Sequence, residues 1–188
     1  MLEDALQWLR DVRDEPLASV TTGKLIAALA AIGLVFLVEA TSDEGWVPLL
    51  DSLNLVFHEA GHPLFGILGE TIGFLGGTLM QLLVPLLVLT ACWYKRQAVA
   101  IGLSGVWFFQ NFLNIARYMA DARAQLLPLV GGGEHDWATL FGQWGLLPRD
   151  TSIAGTMSFL GWAGMIGCTT WILWSWFQRD HADAPGLD

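Results

Sequence analysis

The segment Val56-Phe57-His58-Glu59-Ala60-Gly61-His62-Pro63 sets two histidines four positions apart, with a glutamate beside the first, in an apolar background. On a helix, residues four apart stand one turn above each other on one face, so both imidazoles can hold a single metal ion. Glu59 sits too close in sequence to be the usual third ligand. Its better use is as the acid/base that takes a proton from water and later delivers one to a leaving group. Zinc is the metal this set implies: a catalytic zinc takes three protein ligands and leaves one position for water, whose pKa it lowers towards about 7. The plainer alternative is a buried histidine pair satisfied by polar neighbours, an expensive arrangement at membrane depth. Ala60 and Gly61 leave room for a neighbouring helix or a substrate, and Pro63 removes the amide that would bond the Glu59 carbonyl.

A third ligand has to come from elsewhere. Gly131-Gly132-Gly133-Glu134-His135-Asp136-Trp137 holds the one histidine outside the motif and the acidic tail, which makes His135 the first choice. Asp136 is the alternative, as a ligand or as the carboxylate that orients the imidazole. An ordinary surface loop explains the same residues without a metal. A second polar set runs through Gln110, Asn111, Asn114, Arg117, Tyr118 and Asp121. Asn114, Arg117 and Asp121 recur at helical spacing. Asn114 and Arg117 are therefore candidates to bind a substrate backbone or stabilise an oxyanion, and Asp121 is a further candidate metal ligand. Interhelical hydrogen bonds and an Arg117–Asp121 pair would account for these residues without chemistry. Gln81 and Glu70 are weaker candidates. The glycines Gly66, Gly69, Gly73 and Gly77 read as a close helix-packing face.

Membrane helices must carry these residues. The chain is 54% hydrophobic and 14% charged, with ten tryptophans, and its apolar residues fall in blocks near the roughly 20 residues of helix that cross a bilayer. The pattern predicts an all-α integral membrane protein, a single membrane domain over 1–188. Its expected parts are an N-terminal amphipathic surface helix (1–16), four transmembrane helices (24–40, 71–94, 98–119 and 153–177), a metal-motif helix (46–69), an outer loop (120–151) and a flexible tail (180–188). Lys95-Arg96 is a short loop with positive charge and no acid, so it belongs inside. A full crossing by 46–69 would put that loop outside. The motif helix is therefore expected to be re-entrant or tilted, entering from the outer side, with five full spans as the alternative. Both termini then lie in the cytoplasm, and the protein is expected in the plasma (inner) membrane. The net charge of −9 argues against nucleic acid as a partner. Cys92 and Cys168 fall in apolar segments, where packing explains them.

Phe57-His58-Glu59-Ala60-Gly61-His62 in a hydrophobic segment resembles the first signature of the site-2-protease type of intramembrane zinc metalloproteases. The resemblance implies zinc on His58 and His62, Glu59 as catalytic acid/base, and peptide bonds of membrane-associated peptides or proteins, in or near the lipid, as substrate. The expectation is a membrane-embedded, zinc-dependent hydrolase, a metallopeptidase using a metal-activated water. Two rivals remain open: a metal-dependent enzyme acting on a lipid or other small amphiphile, and a non-catalytic scaffold that binds metal through four protein ligands.

Overall fold

Four predominantly apolar stretches form the long helices. Helix α1 (Thr22–Thr41) is capped by the Thr21 side chain, which accepts from the Lys24 amide. Helices α3 (Glu70–Tyr94), α4 (Ala98–Ala120) and α6 (Asp150–Ala182) are the other three. All four are long and apolar enough to cross a membrane. The motif helix α2 (Leu50–Gly66) is shorter and not among them. The molecule, described from a computed structural model, covers Glu3, Gln7 and residues 16–42, 45–130 and 133–182, with side chains to Gln178. Of the expected 1–16 amphipathic helix only Glu3, Gln7 and Pro16 are described, the first two helical. The tail from 183 lies outside the described residues, while 180–182 continue α6.

Neighbouring contacts fix the directions. The Gly61 backbone meets Gly76 and Gly66 meets Gly73, so α2 and α3 run antiparallel. Gln81 donates to Asn114, and a three-residue loop joins α3 to α4, which therefore run antiparallel too. At one end of the bundle the Ala18 amide donates to the Arg96 carbonyl, and further along Gln110 of α4 donates to Glu39 of α1. Helices α1, α2 and α4 thus point the same way, and α3 runs against them. So does α6, since Gly161 lies against Leu113 and Gly102 against Ile172.

A chain that leaves α1 and enters α2 in the same direction must double back between them. The reversal uses positive φ at Gly45 (+57°) and Leu49 (+68°). Leu50 N bonds Pro48 O at 2.9 Å, so Leu49 is the centre of a γ-turn of the strained, positive-φ kind. Helix α2 therefore starts part-way down the bundle and climbs back to the end where α1 and α4 finish, as a re-entrant element does. Gly69, expected on the packing face, instead has φ +117° and caps α3 in the turn. The expected outer loop contains one further helix, α5 (Asp136–Gln143), which buries Trp137, Leu140 and Phe141 against the start of α3, the end of α4 and the start of α6, followed by a short 3₁₀ turn (Leu147–Arg149).

Candidate metal centre

Helix α2 presents Asp51, Asn54, His58 and Gly61 as its buried face. His58 packs on Gly77 of α3, where an added Cβ would lie 2.6 Å from the imidazole, so the small residue makes the seat for the ring. His58 Nδ1 meets Gln81 Oε1 at 3.2 Å, and the Gln81 amide nitrogen donates onward to Asn114 at 2.8 Å. One turn on, His62 Nδ1 donates to the Gly73 carbonyl at 2.9 Å. A carbonyl oxygen can only accept, so both Nδ1 atoms carry a hydrogen, and in the neutral rings each Nε2 keeps a free lone pair.

Those two Nε2 atoms converge on one oxygen. Asp136 Oδ2 lies 2.9 Å from His58 Nε2 and 3.4 Å from His62 Nε2, and His58 and Asp136 are buried. With both rings neutral, three acceptors face one another, and the group is completed either by a metal ion or by protons that let the imidazoles donate to Asp136. The spacing suits one: ligand atoms about 2.0–2.1 Å from a tetrahedral ion stand roughly 3.3 Å apart. His58, His62 and Asp136 form a group that could hold a metal ion. Burial works to raise the Asp136 pKa, but with no ion bound the hydrogen bonds donated by the His58 and His62 imidazoles outweigh it and hold the carboxyl below its ordinary range, so Asp136 is the anion of the group.

The other expected ligands have different work. His135 is the N-cap of α5: its Nδ1 accepts from the Ala138 amide at 3.2 Å and its Nε2 faces Asp121 Oδ2 at 3.4 Å. Burial lowers its pKa, its Nε2 makes no hydrogen bond among the described residues, and the group around His58 and His62 takes the neighbouring Asp136 rather than His135. Asp121 accepts from the Leu126 and Leu127 amides at 2.9 and 3.0 Å, which pins the loop after α4. Arg117 donates to the Gly45 carbonyl and stands 3.9 Å from Asp51, so it holds the reversal before α2 rather than pairing with Asp121. Asn114 supports Gln81 and so acts on His58 through it.

Glu59 lies beside the group, on the walls of two cavities. One, of ≈ 370 Å³, is bordered by His58, His62 and Asp136; the other, of ≈ 410 Å³, by Gln81, Asn114 and Arg117. Tyr118 lines both. Its ring stacks on His135 (centroids 4.2 Å apart) and its hydroxyl oxygen accepts from the Asp136 amide at 3.1 Å, leaving the hydroxyl hydrogen free to donate. Sequence reasoning gave Tyr118 no role and Gln81 a minor one. Their one signal was polarity in apolar helices. Neither a scan against protein-family models nor searches of curated proteins and solved structures finds a match to this chain.

Proposed function

We propose that the chain is a membrane-embedded zinc hydrolase that cuts peptide bonds of membrane-associated peptides or proteins. The observation that carries the reading is the convergence of His58 Nε2, His62 Nε2 and Asp136 Oδ2, with both Nδ1 atoms tied off, at the wall of a cavity shared with Glu59. Two neutral imidazoles and a carboxylate suit zinc, whose chemistry when held there is Lewis acidity towards a carbonyl and towards water. Glu59 takes the proton from water and returns it to the leaving nitrogen. Tyr118 offers its hydroxyl hydrogen to the oxygen that becomes anionic as the carbonyl is attacked. Gln81 and the Gly73 carbonyl keep the two imidazoles in the tautomer that leaves Nε2 open.

The resemblance of Phe57–His62 to the site-2-protease signature agrees with this reading. That family uses a liganding Asp followed by Gly; here Asp136 would take the part and is followed by Trp137. The positive Lys95-Arg96 loop supports a site on the outer side with both termini cytoplasmic, and the membrane proposed is the plasma (inner) one.

Glu59→Gln is the test. Purified in detergent, the variant should keep one zinc per chain, measured by elemental analysis, while cleavage of a quenched fluorescent peptide falls by about 10²–10⁴-fold. An unchanged rate removes Glu59 from the chemistry.

A further inference from the structure

The two cavities beside Glu59 differ in lining and in depth. They share His58, Glu59, Tyr118, Leu129 and Val130, so they meet at the candidate reaction centre. The smaller opens at the end of the bundle, along Glu70, Gly73 and Glu134; Glu70 and Glu134 are exposed, and among the described residues neither makes an ion pair. The larger extends inward past Leu55, Gln81 and Ile115, and is roofed by Leu127 and Pro128. Gln81 lies eight residues beyond Gly73 on α3, which is roughly 12 Å along a helix axis. Because α2 climbs towards the same end, its residues divide in the same order: Asp51 and Leu55 line only the inner cavity, His62 only the outer one. Both volumes fall in the range of ligand-binding cavities.

Resting on the hydrolase reading above, we infer that the substrate is an amphiphilic membrane-anchored chain cut at the boundary between an apolar segment, which occupies the inner cavity, and a hydrophilic, non-acidic segment, which leaves through the outer one. The physics is the partition of each part. In the inner cavity Asp51 and Arg117 stand 3.9 Å apart and face each other's charge, and the walls formed by Leu55, Ile115, Leu127 and Pro128 reward an apolar side chain, whereas the outer wall carrying Glu70 and Glu134 repels acidic residues and keeps polar backbone near water. A chain already anchored in lipid presents its segments in this order along the same axis as the bundle.

The test uses labelled peptides in mixed micelles: a leucine-rich block joined to a glutamine-rich one, the same with lysine or glutamate in place of glutamine, and peptides wholly of one block. Binding to the Glu59→Gln protein is read by fluorescence anisotropy, and cleavage by the native protein by mass spectrometry. The two-block glutamine and lysine peptides should bind about ten-fold or more tighter than either single-block peptide, the worth of one well-buried side chain, with the cut at the junction. The glutamate version should bind several-fold more weakly, and salt should narrow that gap. Leu55→Gln should remove the preference for the apolar block without loss of zinc. Equal binding of all peptides overturns the inference, as does a preference that survives in Leu55→Gln. Faster hydrolysis of a lysophospholipid ester than of any peptide overturns it in favour of a lipid substrate. Junction-selective binding with no cleavage of any peptide by the native protein defeats the hydrolase reading instead, and this inference with it.

Discussion

Two clusters of buried polar groups share helix α2 and differ in how their hydrogen bonds close. Around Asp51, every acceptor finds a donor. Oδ1 accepts from Asn54 and Gln110 at 3.2 and 2.8 Å, Oδ2 from the Val47 amide at 2.7 Å, Asn54 Oδ1 from the Trp107 indole at 2.8 Å and Gln110 Oε1 from Asn54 at 3.0 Å. Two turns later, His58, His62 and Asp136 bring two imidazole nitrogens and a carboxylate together, a set with no donor of its own while both rings are neutral. The first is a network that fastens the start of a re-entrant helix to α4, where an unpaired group would be costly. The second is completed from outside, by a metal ion or by protons on the imidazoles. Buried polarity at membrane depth is thus no mark of function by itself; the balance of donors and acceptors is what separates the two.

The contrast predicts opposite failures. Asp136→Ala should leave the fold in place and weaken zinc binding on the order of a thousandfold, taking one of three ligands from a binding free energy of about 10–16 kcal/mol. Asp51→Ala strands Arg117, Gln110 and the Val47 amide, and should cost about 3–5 kcal/mol of stability while each folded molecule still binds zinc at full strength. Competition with a chelator and unfolding in mixed micelles read the two quantities separately. If Asp51→Ala lost zinc as Asp136→Ala does, the two clusters would be one functional unit.

A finer version compares two glutamines. Gln81→Leu removes the partner of His58 Nδ1 and should weaken zinc about 10–100-fold. Gln110→Leu, at a similar depth in the closed network, should leave zinc affinity alone and lower stability instead. Equal zinc affinities in the two would show that Gln81 does not orient the ring.

The parts of this arrangement that were legible in the sequence are those set by neighbours along the chain. His58 and His62 sit one turn apart, so their pairing is local. The four spans follow from long, predominantly apolar runs, and the expectation that α2 is re-entrant from the charge of Lys95-Arg96. Asp136 lies 74 positions beyond His62, on an element whose docking depends on Trp137, Leu140 and Phe141 packing with the start of α3, the end of α4 and the start of α6. Their i, i+3, i+4 spacing marked a short helix inside what read as a polar connection. That helix explains the choice between adjacent candidates: an N-cap side chain turns back to the helix amides and is consumed there, and His135 is the cap. Asp51 and Asn54 carry no local signal of their network, because their partners Gln110 and Trp107 come from another helix.

The smallest effect expected decides the third ligand. His135→Ala removes a helix cap and should cost about 1 kcal/mol, with zinc affinity falling less than about tenfold, since Asp136 still has the Tyr118 hydroxyl on its amide. Asn is a good N-cap, so His135→Asn should recover most of that stability and all of the zinc affinity. A cap and a ligand are told apart by the pair: an imidazole on the metal has no substitute in the carboxamide, whereas a cap does. Zinc lost in both His135 variants and retained in Asp136→Ala would move the ligand to His135 and make Asp136 the carboxylate behind it. Zinc retained in both would leave the open cluster as the geometry shows it, two imidazoles and one carboxylate beside Glu59.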